Sequence, residues 1–234
     1  MRLDKFLCEM ELGSRSQVKA LIRQGAVTVN GMSVGKADIQ IDEFSDSVCC
    51  GGRLLIYQKY VYYMLNKPKG VISATEDPAA QTVISLLGGD GRKGIFPVGR
   101  LDKDTTGLLV LTDDGELAHR LLSPKNHVDK TYRLKISKPL TEENISRLEQ
   151  GVDIGEKRPT LPAGVALLGE RELLLTIREG KYHQVKRMLH AVGSEVLDLE
   201  RISFGGINLD ERLGPGEYRK LTTEEIRRLQ NEGI

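Results

Sequence analysis

The stretch GRLDKDTTG at residues 99–107 leads directly into the apolar run LLVL at residues 108–111. Two carboxylates, two cations, two hydroxyls and two glycines are crowded into what reads as a turn before a buried strand. A loop that a rigid strand holds in place is a common position for functional side chains. Composition alone favours an ordinary polar turn, so a function for this stretch needs support from the rest of the chain.

On both sides of this turn, strand and helix patterns are interleaved from about residue 60 to the end of the chain. The predicted strands cover residues 61–65, 108–112, 132–136, 173–177 and 196–199. The predicted helices cover residues 116–122, 142–150 and 182–192, and a capping box at Thr222 and Glu225 predicts a last helix. The larger part of the chain is therefore predicted to be an α+β domain.

The N-terminal residues have a different pattern, typical of a small separate domain. Apolar residues at helical spacing predict a first helix, and Ser14 can cap a second one. Asn30 and Gly31 favour the tight turn of a small hairpin. Gly51 and Gly52 suggest a linker over residues 51–59, so we predict one domain at residues 1–58 and another at 59–234.

The distribution of charge is more informative than its sum. The chain has 34 Lys and Arg against 33 Asp and Glu, which gives a net charge of +1. The second predicted helix nevertheless carries Arg15, Lys19 and Arg23 at intervals of four residues on one face. Such a stripe is either a solvated surface or a contact for a phosphate backbone, and spacing alone favours neither.

Several classes of protein are disfavoured by what the sequence lacks. No apolar run approaches the ~18 residues of a membrane helix, and charges near Met1 do not fit a signal peptide, so we expect a cytoplasmic protein. The three cysteines, two of them adjacent, show no disulfide framework or metal-ligand spacing. The glycine-rich residues 88–94 lack the ending of a phosphate-binding loop, and we expect an ordinary loop there.

Two further segments carry candidate functional residues. Tyr132 alternates with apolar residues of its predicted strand, and by itself is expected in the core, with the cations around it pointing outward. In the predicted helix at residues 182–192, a polar face opposite the apolar one combines His183, Lys186 and Arg187 with His190. That face is either exposed to solvent, or meets a phosphate backbone or a buried carboxylate.

Together, three segments in order resemble the bacterial rRNA pseudouridine synthases, in particular the branch that acts on 16S rRNA. They are GRLDKDTTGLL at residues 99–109, KTY at 130–132 and EGKYHQVKRM at 179–188. The N-terminal segments RLDKFL at 2–7 and residues 14–31 resemble the small αL-type RNA-binding domain that the family shares with a ribosomal protein. The resemblance implies an α+β fold in which this domain precedes a mixed, mainly antiparallel catalytic domain.

The resemblance also implies site roles. Asp102 corresponds to the essential aspartate, Tyr132 to the tyrosine that packs on the target base, and Lys186 to the basic partner of the aspartate. We expect substrate or RNA contacts from a further group: Arg100, Thr105, His183, Arg187, Arg15, Lys19 and Arg23. The implied reaction converts uridine to pseudouridine, by resemblance at position 516 of 16S rRNA, without a metal or other cofactor.

The expected partner is 16S rRNA or a small-subunit assembly intermediate, with a monomeric enzyme and no membrane. A synthase acting on 23S rRNA would share the fold and the first segment, although YHQVK at residues 182–186 is closer to the 16S branch. A non-catalytic RNA-binding assembly protein would not need Asp102, Tyr132 and Lys186 together. A nucleotide-hydrolysing assembly factor is disfavoured because a phosphate loop is missing.

Overall fold

The computed structural model describes residues 1–10, 12–57, 59–88 and 94–232. The chain divides into two compact units, Met1–Lys59 and Tyr60–Ile234. Most of the glycine-rich loop expected at residues 88–94 lies outside the described residues.

The first unit combines two helices with a small antiparallel sheet. Its elements are α1 (Leu3–Glu9), α2 (Arg15–Arg23), β1 (Val27–Val29), β2 (Met32–Ser33), β3 (Val48–Cys50) and β4 (Arg53–Leu55). The strands lie in the order β2-β1-β3-β4. Strand β4 lies within residues 51–59 and pairs with β3, so the prediction of a linker over that whole range is wrong.

Local sequence explains how α2 and the hairpin form. The Ser14 hydroxyl accepts from the Gln17 amide and the Gln17 side chain accepts from the Ser14 amide, a capping box that starts α2. Val18 and Ile22 of α2 are buried in the core of the unit. Asn30 and Gly31 both have positive φ, at 52° and 79°, as the tight turn between β1 and β2 requires.

The second unit is built on one large sheet. Its strands are β5 (Tyr62–Lys67), β6 (Phe96–Pro97), β7 (Thr106–Thr112), β8 (Lys130–Ile136), β9 (Gly164–Gly169), β10 (Glu172–Ile177), β11 (Val196–Phe204), β12 (Ile207–Asn208) and β13 (Tyr218–Lys220). Its α-helices are α3 (Gly115–Leu122), α4 (Glu142–Gln150), α5 (Gln184–Ala191) and α6 (Thr223–Asn231). Short 3-10 turns span Ser85–Leu87 and Pro124–Asn126.

The strand order confirms the predicted α+β fold with a mainly antiparallel sheet. The order is β13-β5-β7-β11-β8-β10-β9, with β12 beside β11 and β6 beside β7. The pairing of β7 with β11 is parallel, and the other strand pairings of this sheet are antiparallel. The prediction of a helix starting at residue 182 is wrong by two residues, because α5 begins at Gln184.

The sheet buries a core on each face. Leu109 and Leu111 of β7 face a core that includes Met188 of α5, while Leu108 and Val110 face a second core that includes α3. This alternation is the two-residue period of a strand covered on both sides. Residues of α5 and Tyr132 both belong to the first core, so α5 and the Tyr132 side chain lie on the same face of the sheet.

Gly107 permits the central strands to approach each other. Its φ is 95°, and a Cβ placed there would lie 2.3 Å from the backbone oxygen of Arg201 on β11. Only glycine adopts that conformation in that space without strain. The close pairing of β7 and β11 brings the loop before β7 next to the side chains of β11.

Within the described ranges, no helix is both long and apolar enough to cross a bilayer. Cys8, Cys49 and Cys50 are free and partly buried.

Candidate active site

A cavity of about 670 Å³ opens where the loop before β7, strand β8, strand β11 and the start of α5 meet. Asp102 lines it from the loop, Tyr132 from β8 and Lys186 from α5. The three residues that the sequence analysis singled out as catalytic candidates are thus brought together from segments far apart in the chain. This second unit contains all of them.

The loop that carries Asp102 is fastened by hydrogen bonds on both sides. The Ser73 hydroxyl donates to the Leu101 carbonyl at 2.8 Å and accepts from the Leu101 amide at 3.0 Å. The Thr105 amide donates to the carbonyl of Asp102 at 3.1 Å, which closes a tight turn. These bonds fix the backbone, so the Asp102 side chain is presented to the cavity with little conformational freedom.

Lys67, at the end of β5, supports this loop from beneath. Its side chain is fully buried, and its ammonium donates to the carbonyls of Thr105 at 2.8 Å and Pro68 at 3.0 Å. Burial lowers the pKa of Lys67 to about 8, although the charges of Asp104 and Asp102 act in the opposite direction. A buried cation therefore lies behind the two carboxylates of the loop.

Lys186 binds both loop carboxylates from the other side. Its Nζ lies 3.0 Å from Asp102 Oδ2 and 2.6 Å from Asp104 Oδ1. Burial acts to lower the pKa of Lys186, but hydrogen bonds to Asp104 and Asp102 outweigh it and the pKa is raised. The same contact lowers the pKa of Asp104. The ammonium is therefore charged at neutral pH and orients the Asp102 carboxylate.

His183 approaches Asp102 from outside the helix. The sequence analysis placed it on a helical face, but it precedes α5 with a φ of 48°, in the left-handed region. Its Nε2 lies 3.6 Å from Asp102 Oδ1, and its ring stacks on that of Tyr182 with centroids 3.9 Å apart. A non-glycine residue in this conformation at a cavity wall is typical of functional sites.

The side chains of β8 are arranged differently from the prediction at one position. Tyr132 is 7% exposed and lines the cavity. Lys130 was expected to point outward with Arg133 and Lys135, and those two are exposed, but Lys130 is two residues from Tyr132 and lies on the same face. It is partly buried and also lines the cavity.

The remaining predicted contacts fall into distinct environments. Arg100 is exposed at the cavity wall. Thr105 is 2% exposed and is one of the residues that line the cavity. Arg187 donates to Glu156 Oε1 at 2.8 Å and to the Tyr182 carbonyl at 3.0 Å, so it anchors the segment before α5 rather than lining the cavity with Asp102.

In the first unit, Arg15, Lys19 and Arg23 are all exposed on one helix. The prediction of a cationic stripe on α2 therefore corresponds to a solvent-facing surface, while the opposite side of the helix is buried.

Two buried cations were missed by the sequence analysis, Lys67 and Arg201. Arg201 lines the cavity from β11 and is 2% exposed. The signal that could have found it is the alternation of β11, where Arg201 occupies an inward position two residues after buried Leu199. A charged residue at an inward strand position is uncommon and points to a polar site.

The described ranges contain no group of three or more His, Cys, Asp or Glu side chains arranged to hold a metal ion.

Comparison with known proteins assigns this fold and cavity to a family. A sequence model described as RNA pseudouridylate synthase matches residues 61–191, and an S4 domain model matches residues 1–46. The chain therefore belongs to the RNA pseudouridylate synthase family, which are isomerases, and carries an N-terminal S4 domain.

Full-length relatives agree with this assignment. The chain is 48% identical over 231 residues to "Uncharacterized RNA pseudouridine synthase YtzG" of Bacillus subtilis, with 97% of each chain covered. It is 42% identical over 227 residues to "Ribosomal small subunit pseudouridine synthase A" of Escherichia coli, with 97% and 98% covered. A solved structure, "Crystal structure of pseudouridylate synthase", matches with a TM-score of 0.68 and 40% identity, covering 98% of this chain and 99% of that one.

Proposed function

We propose that this protein isomerises one uridine of 16S rRNA, uridine 516, to pseudouridine during assembly of the small ribosomal subunit. The observation that carries the proposal is the Asp102 carboxylate, held by Lys186 at 3.0 Å on the wall of a cavity that also contains Tyr132. Small-subunit rRNA is chosen as the substrate because relatives at 42–44% identity, such as those of Escherichia coli and Vibrio vulnificus, are named "Ribosomal small subunit pseudouridine synthase A".

The reaction needs a nucleotide that is turned out of its stack and a carboxylate at its sugar. The bond from C1′ to N1 breaks, the uracil rotates, and a new bond joins C1′ to C5; C5 loses a proton and N1 gains one, so the atoms balance. Asp102 would act either by attacking C1′, as glycosidase nucleophiles do, or by removing the C2′ proton to form a glycal. Both routes require an ionised, fixed carboxylate.

The neighbouring residues supply orientation. Lys186 holds the Asp102 carboxylate in place through an ion pair of 3.0 Å. Tyr132 stacks on the uracil, a contact worth about 1–3 kcal/mol per base. Arg100 at the cavity wall contacts the RNA beside the turned-out nucleotide, and His183 contributes a ring next to the reacting carboxylate.

The S4 domain binds the RNA outside the cavity. Arg15, Lys19 and Arg23 form an exposed cationic stripe, and such contacts to phosphates give affinity and register without reading sequence. The expected substrate is 16S rRNA, free or within an assembly intermediate.

The test is modification of unmodified rRNA without added cofactor. The protein is incubated with 16S transcript, 23S transcript and small-subunit assembly intermediates, and pseudouridine is mapped by carbodiimide-dependent primer-extension stops. A new stop at uridine 516 of 16S rRNA is expected. A stop only in 23S rRNA would overturn the substrate, and no stop in any RNA that the protein binds would overturn the activity.

A matched pair of variants tests the role of Asp102. Asp102→Asn should abolish turnover while RNA binding, measured by filter retention, stays intact. Asp104→Asn removes a second carboxylate bonded to the same Lys186 ammonium, but its side chain is 69% exposed, so turnover should remain measurable. Full activity of Asp102→Asn, or equal losses in both variants, would contradict the assignment.

A further inference from the structure

The cavity wall contains a buried guanidinium whose hydrogen-bonding capacity is incompletely used. Arg201 donates from Nε to the Leu108 carbonyl at 2.8 Å. Its buried Nη2 has no hydrogen-bond partner among the residues that the structure describes. Leaving a buried charged donor unpaired is costly, so an unpaired donor in a cavity wall is a candidate contact for a ligand.

A second cation lies beside it. Lys130 Nζ is 5.6 Å from the centroid of the Phe204 ring, and the Arg201 guanidinium is 5.1 Å from the same centroid. Lys130 Nζ donates to the Val128 carbonyl at 2.7 Å. Two cations that line the cavity therefore both lie over the Phe204 ring.

The electrostatics of this pair are unfavourable as it stands. Burial, followed by the charge of Arg201, lowers the pKa of Lys130 to about 8. The carboxylate whose charge acts in the other direction is that of Asp129, and its Oδ1 is bonded to Arg178 Nε at 2.8 Å. Like charges in a poorly solvated site are destabilising unless an anion joins them.

The position of the pair indicates which anion fits. Lys130 precedes Tyr132 by two residues on the same strand face, about 7 Å between Cα atoms. That spacing is comparable to the length of one nucleotide from base to phosphate. The uracil is neutral and cannot compensate two positive charges, whereas each RNA phosphate carries one negative charge.

We propose that Lys130 and Arg201 form a phosphate subsite inside the cavity, which binds a phosphate attached to the ribose of the target uridine. This inference rests on the proposed function. The site would thus recognise the turned-out residue as a nucleotide, with the base on Tyr132, the sugar at Asp102 and the phosphate on the cation pair.

The test combines two changes: an uncharged phosphate analogue in the RNA and an uncharged side chain at position 130 of the protein. An RNA fragment that the wild-type protein modifies is synthesised with a methylphosphonate, which is uncharged, on the 5′ or the 3′ side of the target uridine. For wild type, one of the two should lower kcat/KM by about tenfold or more, the size expected for a charged hydrogen bond. For Lys130→Gln the same replacement should cost less than about threefold, because one of the two cations that bind the phosphate is already absent.

Matched controls exclude general charge effects. Lys103→Gln removes an exposed cation from the same cavity, and its sensitivity to the methylphosphonate should equal that of wild type. Lys130→Arg should restore the sensitivity. A methylphosphonate three nucleotides from the target should affect wild type and Lys130→Gln by the same factor.

Thermal unfolding without RNA gives a second readout. Because the unliganded pair is unfavourable, the midpoint of Lys130→Gln at pH 7 should be equal to or above that of wild type. Equal methylphosphonate factors for wild type and Lys130→Gln, or a lowered midpoint, would overturn the subsite. If wild type fails to modify the unaltered RNA, the proposed function fails instead, so the two failures are distinguishable.

Discussion

The variant Lys67→Met should distinguish the free-energy cost of burying the Lys67 charge from the stabilisation that its hydrogen bonds provide. The Lys67 ammonium is inaccessible to solvent and donates to the carbonyls of Thr105 and Lys103 in the loop before β7, and to the carbonyl of Pro68 next to it in the chain. Methionine has a similar length and no charge, so it removes the donors without leaving a large void. The variant therefore loses the anchor of the loop and also the titration of the buried amine.

The size of the titration effect follows from the pKa. Burial lowers the pKa of Lys67 from 10.5 to about 8 in the folded protein. Between these values the unfolded chain binds more protons than the folded one, so this group makes the protein more stable as pH rises. The free energy of unfolding of wild type minus that of Lys67→Met should increase by about 2 kcal/mol from pH 7 to pH 9.5.

At neutral pH, the loss of hydrogen bonds to the carbonyls decides whether Lys67→Met is more or less stable than wild type. In Lys67→Met the two carbonyls that accept from the amine at 2.8 and 3.0 Å lose their donor, at about 1–3 kcal/mol each. The variant should therefore be less stable than wild type at pH 7, and the gap should widen at alkaline pH. Turnover should fall as well, since the backbone of the turn loses its hydrogen bonds from Lys67 at Lys103 and Thr105.

Urea unfolding at pH 7, 8, 9 and 9.5 measures the difference, with Lys69→Met as the matched control. Lys69 is exposed and paired with Asp198, and the hydrogen bond to that carboxylate raises its pKa, so its contribution should stay constant over this range. A wild-type minus Lys67→Met difference that does not change with pH would refute the assignment of a buried, low-pKa amine. A change that Lys69→Met reproduces would refute it equally.

Three further perturbations follow from the geometry. Lys186→Met removes an ammonium 3.0 Å from the Asp102 carboxylate, an interaction of about 1.4 kcal/mol in water and about 5.5 kcal/mol at an effective dielectric of 20. The value of kcat/KM should therefore fall between about tenfold and about ten-thousandfold, with partial rescue by Lys186→Arg, and an unchanged kcat/KM would contradict the pairing. Arg15→Ala with Lys19→Ala should weaken RNA binding and reduce the slope of log K against log salt by about 1.5, and an unaltered slope would indicate a merely solvated helix face. Gly107→Ala should destabilise the protein by about 3 kcal/mol or more in urea unfolding. Gly169→Ala is the control and should not destabilise it, because a Cβ at Gly169 meets nothing within 4 Å. Equal unfolding midpoints for the two variants would contradict the close pairing of β7 and β11.

The α+β fold was predictable because its core strands and helices have strong local patterns. Residues 108–111 are a continuous apolar run, and the structure covers both faces of that strand, as such a run predicts. The short strands β6, β12 and β13 were missed, since two or three residues carry no readable period and pair only because longer strands lie beside them. The left-handed conformation of His183 was also missed, because position 183 fits the helical spacing of the residues that follow it.

The site shows where sequence patterns stop being sufficient. Resemblance identifies Asp102, Tyr132 and Lys186, but the cations Lys67, Lys130 and Arg201 become meaningful only when burial is known. A cation on a strand is ordinarily expected at the surface, and only the tertiary structure shows that Lys67 and Arg201 are buried and that Lys130 is partly buried. Desolvated cations are unfavourable for folding alone, so their presence is best explained by the anionic groups they face. For Lys67 these are the loop carboxylates Asp104 and Asp102, and for Lys130 and Arg201, which line the cavity, the proposed group is a phosphate of the substrate.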